Sequence, residues 1–285
     1  MTVLEAIQKS AEFLAKRGVD SPRLQSELLL AHVLKTERLK LYLTFERVLV
    51  SPEIDQFREL IKRRGNREPL QHLVGSTSFC GLEIEVNNQV LIPRPETELL
   101  AEQGWKFLNT VQNGEPRFLD FGTGSGCIAI ALCHFAPRAR GVALDKSAGA
   151  LALARTNAAR NQVDPRIEFI ESDRYSQLPE GTRFDLIISN PPYIPSGEIS
   201  SLQEEVRKHD PHSALDGGTD GLDFYRYLAG ESAPYLKPGG RLMVEFGDGQ
   251  EKFLPQVFES CEWKIETILN DYSSRPRILI AARTA

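Results

Sequence analysis

The chain predicts a doubly wound α/β domain on a seven-stranded sheet, preceded by a small helical domain. Three observations carry this. Apolar, strand-like runs alternate with helical patterns from Arg117 onward; a glycine-rich turn joins the first of these runs to a helix; and the residues before about Thr110 follow a different rhythm, helical as far as Gly65.

In chain order, Thr2–Gly18, Pro22–Lys35 and Ser51–Gly65 read as helices, the last with Ser51 as its cap and Pro52 at the first helical position. Leu70–Val90 alternates apolar and polar residues around Cys80 and Gly81, the pattern of a β-hairpin. Strand-like runs follow at Arg117–Phe121, Ala139–Leu144, Arg166–Glu171, Phe184–Ser189, Gly240–Phe246, Trp263–Leu269 and Arg277–Ala282. Between them, Cys127–Phe135 and the Ala-rich Ser147–Asn161 are helix-like. Leu222–Tyr235 has helical spacing until Lys237, Pro238, Gly239 and Gly240 stop it. Alternation of this kind implies a parallel sheet with helices on both faces. The link Asn270–Pro276 is too short for a helical crossover, so the last two runs should pair antiparallel at an edge. The division expected is residues 1–68, a helical domain; 69–92, a hairpin linker; and 93–285, the α/β domain.

Composition narrows the function. At 285 residues, 41% hydrophobic and 26% charged, the chain is long enough for two cores and has no apolar run of membrane-spanning length. Glu5 and Glu12 interrupt the N-terminal segment, which reads as an amphipathic helix and not as a signal peptide, so a cytoplasmic protein is expected. Cys80, Cys127, Cys133 and Cys261 lack metal-ligand spacing and suit buried thiols in a reducing compartment; packing is also preferred to an acidified thiol for Cys127 near a helix start. His32, His72, His134, His209 and His212 form no ligand set, and Asp216, Asp220 and Asp223 lack calcium-loop spacing. No metal is expected. Residues 1–80 hold 13 Lys and Arg against 10 Asp and Glu, net +3; the rest hold 21 against 29, net −8. An overall charge of −5 argues against a general duplex-DNA binder. Lys62, Arg63, Arg64 and Arg67 cluster locally, as a solvated helix end or as a contact with an acidic surface.

Two motifs carry chemistry. Arg117–Phe121 runs into Gly122, Thr123, Gly124, Ser125 and Gly126 and then a helix. This strand–glycine turn–helix unit lets backbone amides approach a nucleotide-like ligand. The third glycine comes one residue too early for the dinucleotide fingerprint, and Asp120 before the turn suits an ammonium better than a phosphate. The turn alone leaves S-adenosylmethionine and NAD both open; the Asn190–Tyr193 motif two strands later favours S-adenosylmethionine. Asp145, about twenty residues past the turn, ends the next strand where a carboxylate accepts hydrogen bonds from ribose hydroxyls. The second motif, Asn190, Pro191, Pro192 and Tyr193, ends the Phe184–Ser189 run. Its two prolines stiffen the turn and leave carbonyls unpaired. The Asn190 oxygen and such a carbonyl can accept both hydrogens of a planar NH2 group, with the Tyr193 ring as a stacking face. A carboxamide and the exocyclic amine of a base both fit. Gly122, Asp145, Asp173 and Asn190 all fall at carboxyl ends of strands, where such sheets bind ligands.

The segment Leu91, Ile92, Pro93, Arg94, Pro95, Glu96, Thr97, Glu98, together with Phe121–Gly126 and Asn190–Tyr193, resembles the PrmC/HemK family of peptide chain release factor glutamine methyltransferases. The likeness extends to Pro69–Gly75, Phe79–Gly81 and Ala214–Leu222, and so over nearly the whole chain. Asn-Pro-Pro-Tyr alone is shared with adenine methylases of DNA and RNA, which stand as the alternative. The resemblance implies a Rossmann-like class I methyltransferase fold and methyl transfer from S-adenosylmethionine, with S-adenosylhomocysteine as product. The acceptor it implies is the amide nitrogen (N5) of glutamine in the Gly-Gly-Gln loop of class I release factors. It further implies a monomer with neither a stable nucleic-acid partner nor a membrane. Asn190, Pro191 and Tyr193 would be catalytic, with Pro192 completing the substrate turn. Gly122, Thr123, Gly124, Ser125, Gly126, Asp145, Asp173, Arg174 and Asn190 would contact the cofactor, and the stiff Pro-rich segment can both cap a helix and cover the cofactor. Arg174 departs from the family, which often places a bulky apolar residue against the adenine; an arginine can stack there instead.

Overall fold

Strands that bury both faces belong at the centre of a sheet, and Arg117–Phe121 and Phe184–Ser189, nearly every residue of which is buried, lie there side by side. A computed structural model describes residues 1–112 and 114–283; Asn113, Thr284 and Ala285, the last two closing the expected 93–285 domain, lie outside the described residues. The helices are α1 (Val3–Lys16), α2 (Pro22–Val33), α3 (Arg38–Leu41), α4 (Ser51–Gly65), α5 (Leu70–Val74), α6 (Pro95–Thr110), α7 (Cys127–Phe135), α8 (Ala148–Arg160), α9 (Glu204–His209), α10 (Asp223–Glu231) and α11 (Leu254–Glu259). The strands are β1 (Ser76–Phe79), β2 (Leu82–Glu85), β3 (Arg117–Phe121), β4 (Arg140–Asp145), β5 (Ile167–Glu171), β6 (Phe184–Ser189), β7 (Leu236–Glu245), β8 (Trp263–Asn270) and β9 (Pro276–Arg283).

The seven-stranded sheet forms in the order β5-β4-β3-β6-β7-β9-β8. The first five strands are parallel; β9 runs antiparallel to both β7 and β8. The predicted antiparallel pair is therefore present, with β9 inserted between its partner and the rest. Successive residues of β3 point to opposite faces: Phe118 packs with α6, α7 and α8, whereas Leu119 packs with α10 and α11. Chain order reverses between β3 and β6, which opens a crevice at their carboxyl ends.

The chain forms two compact units, Met1–Ser76 with Gln203–His209, and Thr77–Leu202 with Asp210–Ala285. The first has its own core, including Val3, Ile7, Leu14, Leu29, Leu30 and Phe57. Thr2 caps α1 reciprocally with Glu5, through bonds of 3.2 and 3.0 Å. Two local expectations are corrected. Helix α4 begins at Ser51, one residue earlier than expected: Val50 is the cap, Pro52 is the second helical residue, and the Val50 amide donates to Glu53. Leu70–Val74 is a helical turn and not a strand, because Gly75 ends it in a left-handed conformation and Leu73 joins the helical core; the hairpin is confined to β1 and β2. Three residues of the basic cluster are matched from within their own unit: Arg64 and Arg67 reach Glu205 of α9 at 2.8 and 2.7 Å, and Arg63 pairs with Glu68.

Candidate active site

The crevice beyond β3, β4 and β6 holds a cavity of about 570 Å³, within the range of small-molecule sites. Gly122, Thr123, Gly124, Ser125, Asp145, Asp173, Arg174, Asn190 and Pro192 line it; Gly126, Pro191 and Tyr193 do not. Gly126 serves the turn differently. It enters α7 with φ of 82°, and a Cβ there would lie 3.0 Å from Ala154 of α8, so its missing side chain lets the two helices close.

The glycine turn is braced from three sides. Gly122 and Thr123 both donate to the Leu144 carbonyl, at 2.8 and 2.9 Å. The Gly124 amide donates to Asp145 Oδ2 at 2.9 Å, while the Ser147 amide donates to Asp145 Oδ1 at 2.9 Å. Both carboxylate oxygens are thereby aimed before any ligand arrives, and each keeps a lone pair. Asn157, fully buried, ties Glu85 of the hairpin and the Ser125 carbonyl to α8, with bonds of 2.8 to 2.9 Å.

Asp120 departs from its expected role. It is fully buried behind the turn and not at the cavity wall, where its Oδ2 accepts from the Thr123 hydroxyl at 2.6 Å and the Ala129 amide at 3.1 Å. It braces the turn from beneath. Burial pushes its carboxyl up to about 7. A carboxyl whose pKa is raised on folding favours the native state below its unfolded pKa, and that contribution is lost as pH rises through the folded value. Between pH 5 and 8 the wild-type protein should thus lose on the order of 2 kcal/mol more stability than Asp120→Asn. Urea unfolding of both proteins at the two pH values measures this; parallel losses would refute it.

Asn190 opens on the cavity, and its Nδ2 donates to the Thr97 hydroxyl at 3.0 Å. Thr97 in turn donates to Glu245 Oε2 at 2.7 Å. Asn190 Oδ1 accepts nothing from the described residues. Behind it, the backbone of Tyr193 is clamped. Gln250 Nε2 donates to the Tyr193 and Gly221 carbonyls at 3.0 and 3.1 Å, and a Cβ at Gly221, where φ is 75°, would lie 2.3 Å from the Tyr193 oxygen. Gly221→Ala is therefore expected to destabilise the protein by about 1–3 kcal/mol, read as a lowered melting temperature. An unchanged melting temperature would contradict this packing.

Arg174 stacks over the Tyr227 ring at 4.4 Å while also lining the cavity, so one guanidinium face is occupied and the arginine is held in place. Arg94, from the Pro-rich segment, lines the same cavity and pairs with the buried Asp210 at 2.6 Å. Sequence reasoning missed Asn88, Gln89, Ser172 and Phe224 as lining residues, none of which stands in a recognisable pattern. Burial raises the Cys127 thiol pKa, the opposite of a reactive cysteine. Among the described residues no group of three or more His, Cys, Asp or Glu could hold a metal, and no helix is long and apolar enough to cross a membrane.

Residues 5–75 match the PrmC N-terminal domain, and residues 102–209 match the methyltransferase small domain. The chain is 43% identical to release factor glutamine methyltransferase of Geobacter sulfurreducens over 90% of its own length and 88% of that protein's. It is 38% identical to the enzyme of that name from Nitratidesulfovibrio vulgaris, over 99% and 95%. The chain belongs to the release factor glutamine methyltransferase family. Among solved structures, the catalytic domain of human Mettl16 bound to an RNA hairpin shares the fold at a TM-score of 0.56 and 15% identity, covering 72% of this chain and 77% of that one. Within the family's fold, the glycine turn, Asp145 and Asn190 converge on one cavity.

Proposed function

We propose that this enzyme transfers a methyl group from S-adenosylmethionine to the side-chain amide nitrogen, N5, of the glutamine in the Gly-Gly-Gln loop of class I release factors. The observation that carries this reading is the orientation of Asn190. Its NH2 is committed to Thr97, which leaves Oδ1 as an acceptor at the edge of the cavity.

The cavity fits the cofactor. A Cβ at Gly122 or Gly124 would meet nothing within 4 Å, so the turn leaves open space for the methionine tail, and Asp145 presents an oriented carboxylate for the ribose. Asp173 and Arg174 would flank the adenine. When bound, S-adenosylmethionine supplies a methyl on a positively charged sulfur and leaves as S-adenosylhomocysteine.

The protein's own contribution is aim. An amide nitrogen is a poor nucleophile because its lone pair is delocalised. Asn190 Oδ1 and the Pro191 carbonyl would accept its two hydrogens, fix its direction and favour positive charge developing on it. Pro192 keeps the turn stiff, and Tyr193 would hold the plane of the amide. No base is needed before transfer, since the nitrogen becomes acidic only once methylated; its proton then passes to water. The enzyme would act as a cytoplasmic monomer without a stable nucleic-acid partner.

Labelled S-adenosylmethionine, offered with a class I release factor, with its loop Gln→Ala variant and with adenine-containing DNA and RNA, tests the reading. Label on the loop glutamine alone is expected. Label on adenine with the release factor untouched would reassign the turn to a base amine.

A further inference from the structure

We infer that Thr97 and Glu245 are positioning residues, which hold the Asn190 amide in the one orientation that turns its oxygen, and not its NH2, toward the substrate. The inference deepens the proposed function and rests on its assignment of Asn190 as the acceptor.

An asparagine amide is nearly symmetric in shape but opposite in polarity at its two ends. With the NH2 end inward, donors on the enzyme would face the donors of the substrate amide, so the site needs something to choose between the two flips. Nothing in the Asn-Pro-Pro-Tyr turn itself makes that choice. The choice comes from the start of α6 and the end of β7. Thr97 has one hydroxyl hydrogen. Its oxygen lies 2.7 Å from Glu245 Oε2 and 3.0 Å from Asn190 Nδ2. An ionised carboxylate only accepts, so the hydrogen goes to Glu245 and the hydroxyl lone pair is left for Asn190. Thr97 and Glu245 are 3% and 1% exposed, so water does not compete for the bond between them, whereas the bond from Asn190 lies at the cavity edge. The anchor is itself fixed: Glu245 closes β7, and its backbone carbonyl accepts from the buried Tyr225 hydroxyl at 2.8 Å.

The relay has a polarity that can reverse. Were Glu245 protonated, it could donate to Thr97, Thr97 could donate to Asn190 Oδ1, and the NH2 would swing inward. Burial raises the Glu245 carboxyl to about 7, opposed by its bond from Thr97 and by Arg277 and Arg94, and reinforced by Glu96; Tyr193 and Tyr225 are the other titratable groups beside it. The active polarity therefore belongs to the higher-pH side.

The test uses the full chain, a class I release factor and S-adenosylmethionine. Thr97→Val keeps the shape and removes the relay; kcat is expected to fall about 10-fold, and Thr97→Ser to restore most of it. Cofactor affinity, measured by calorimetry, should stay within about 2-fold of wild type. In an Asn190→Ala background, Thr97→Val should cost no more than about 2-fold further, because its target is gone. Wild-type turnover in Thr97→Val, or an equal further loss in the Asn190→Ala background, would overturn the relay while leaving the role of Asn190 standing. Full turnover in Asn190→Ala would overturn both. Should Thr97→Val fail to fold, the pH profile decides. Wild-type kcat should climb through about pH 7 and Glu245→Gln should lack that rise; a rise unchanged in the variant refutes the relay.

Discussion

Asn190→Ala is expected still to bind S-adenosylmethionine and to lose about 10²–10³-fold in kcat, the loss seen when one preorganised group is removed from a charge-stabilising site. The amide nitrogen of the substrate carries little nucleophilic density until something accepts its hydrogens, and in the proposed reading Asn190, which lines the cavity with its NH2 committed to Thr97, would offer its oxygen as one acceptor. Truncation also strands the Thr97 hydroxyl, which keeps its bond to Glu245 and loses only its donor. The scaffold should therefore survive, with a melting temperature that matches wild type and cofactor binding retained. The decisive measurement is single-turnover methylation at saturating cofactor. A variant that turns over normally would remove Asn190 from the chemistry.

Asp145→Ala should do the reverse. Hydrogen bonds to an ionised group contribute about 1.5–3 kcal/mol, so losing the ribose contacts proposed for Asp145 should weaken cofactor binding about 10–100-fold. The carboxylate also holds the Gly124 and Ser147 amides, so its removal loosens the glycine turn and the start of α8 together. Turnover at saturating cofactor should fall far less. Calorimetry on both variants separates the roles: an equal loss of cofactor affinity in Asn190→Ala and Asp145→Ala would sink the division between them.

The parts of this site that lie close together in sequence were readable from it. Arg117–Phe121, Cys127–Phe135 and Phe184–Ser189 form with the bounds their patterns predict, because a doubly buried strand and a uniformly apolar helix leave little ambiguity. Asp145 and Asn190 could be placed because strand ends fix where their side chains emerge. Other features depend on neighbours distant in the chain. Thr97 and Glu245 are 148 residues apart, and neither has a local pattern that announces the bond between them. Asp120 looked like a ligand because an acid before a glycine turn meets ligands; its burial beneath Thr123 and Ala129 is a tertiary fact. The Pro-rich segment points to a helix cap, and Pro95 stands where helices tolerate it, but the extent of α6 to Thr110 carries no equally clear signal. Arg64 and Arg67 illustrate the same limit on charge: their acid, Glu205, comes more than a hundred residues later.

The insertion of β9 between β7 and β8 also orders events during folding. Strand β8 precedes β9 in the chain yet is joined to the sheet only through it, so β8 has no place to dock until β9 has paired with β7. Until then β7, whose last six residues include Leu242, Met243 and Val244 in the core, presents an open and apolar edge. Such an edge is a template for pairing with another chain. Loss of the Pro276–Arg283 strand by proteolysis would recreate it in the mature protein, and the expected fate of that fragment is aggregation through β7, not a smaller but working enzyme.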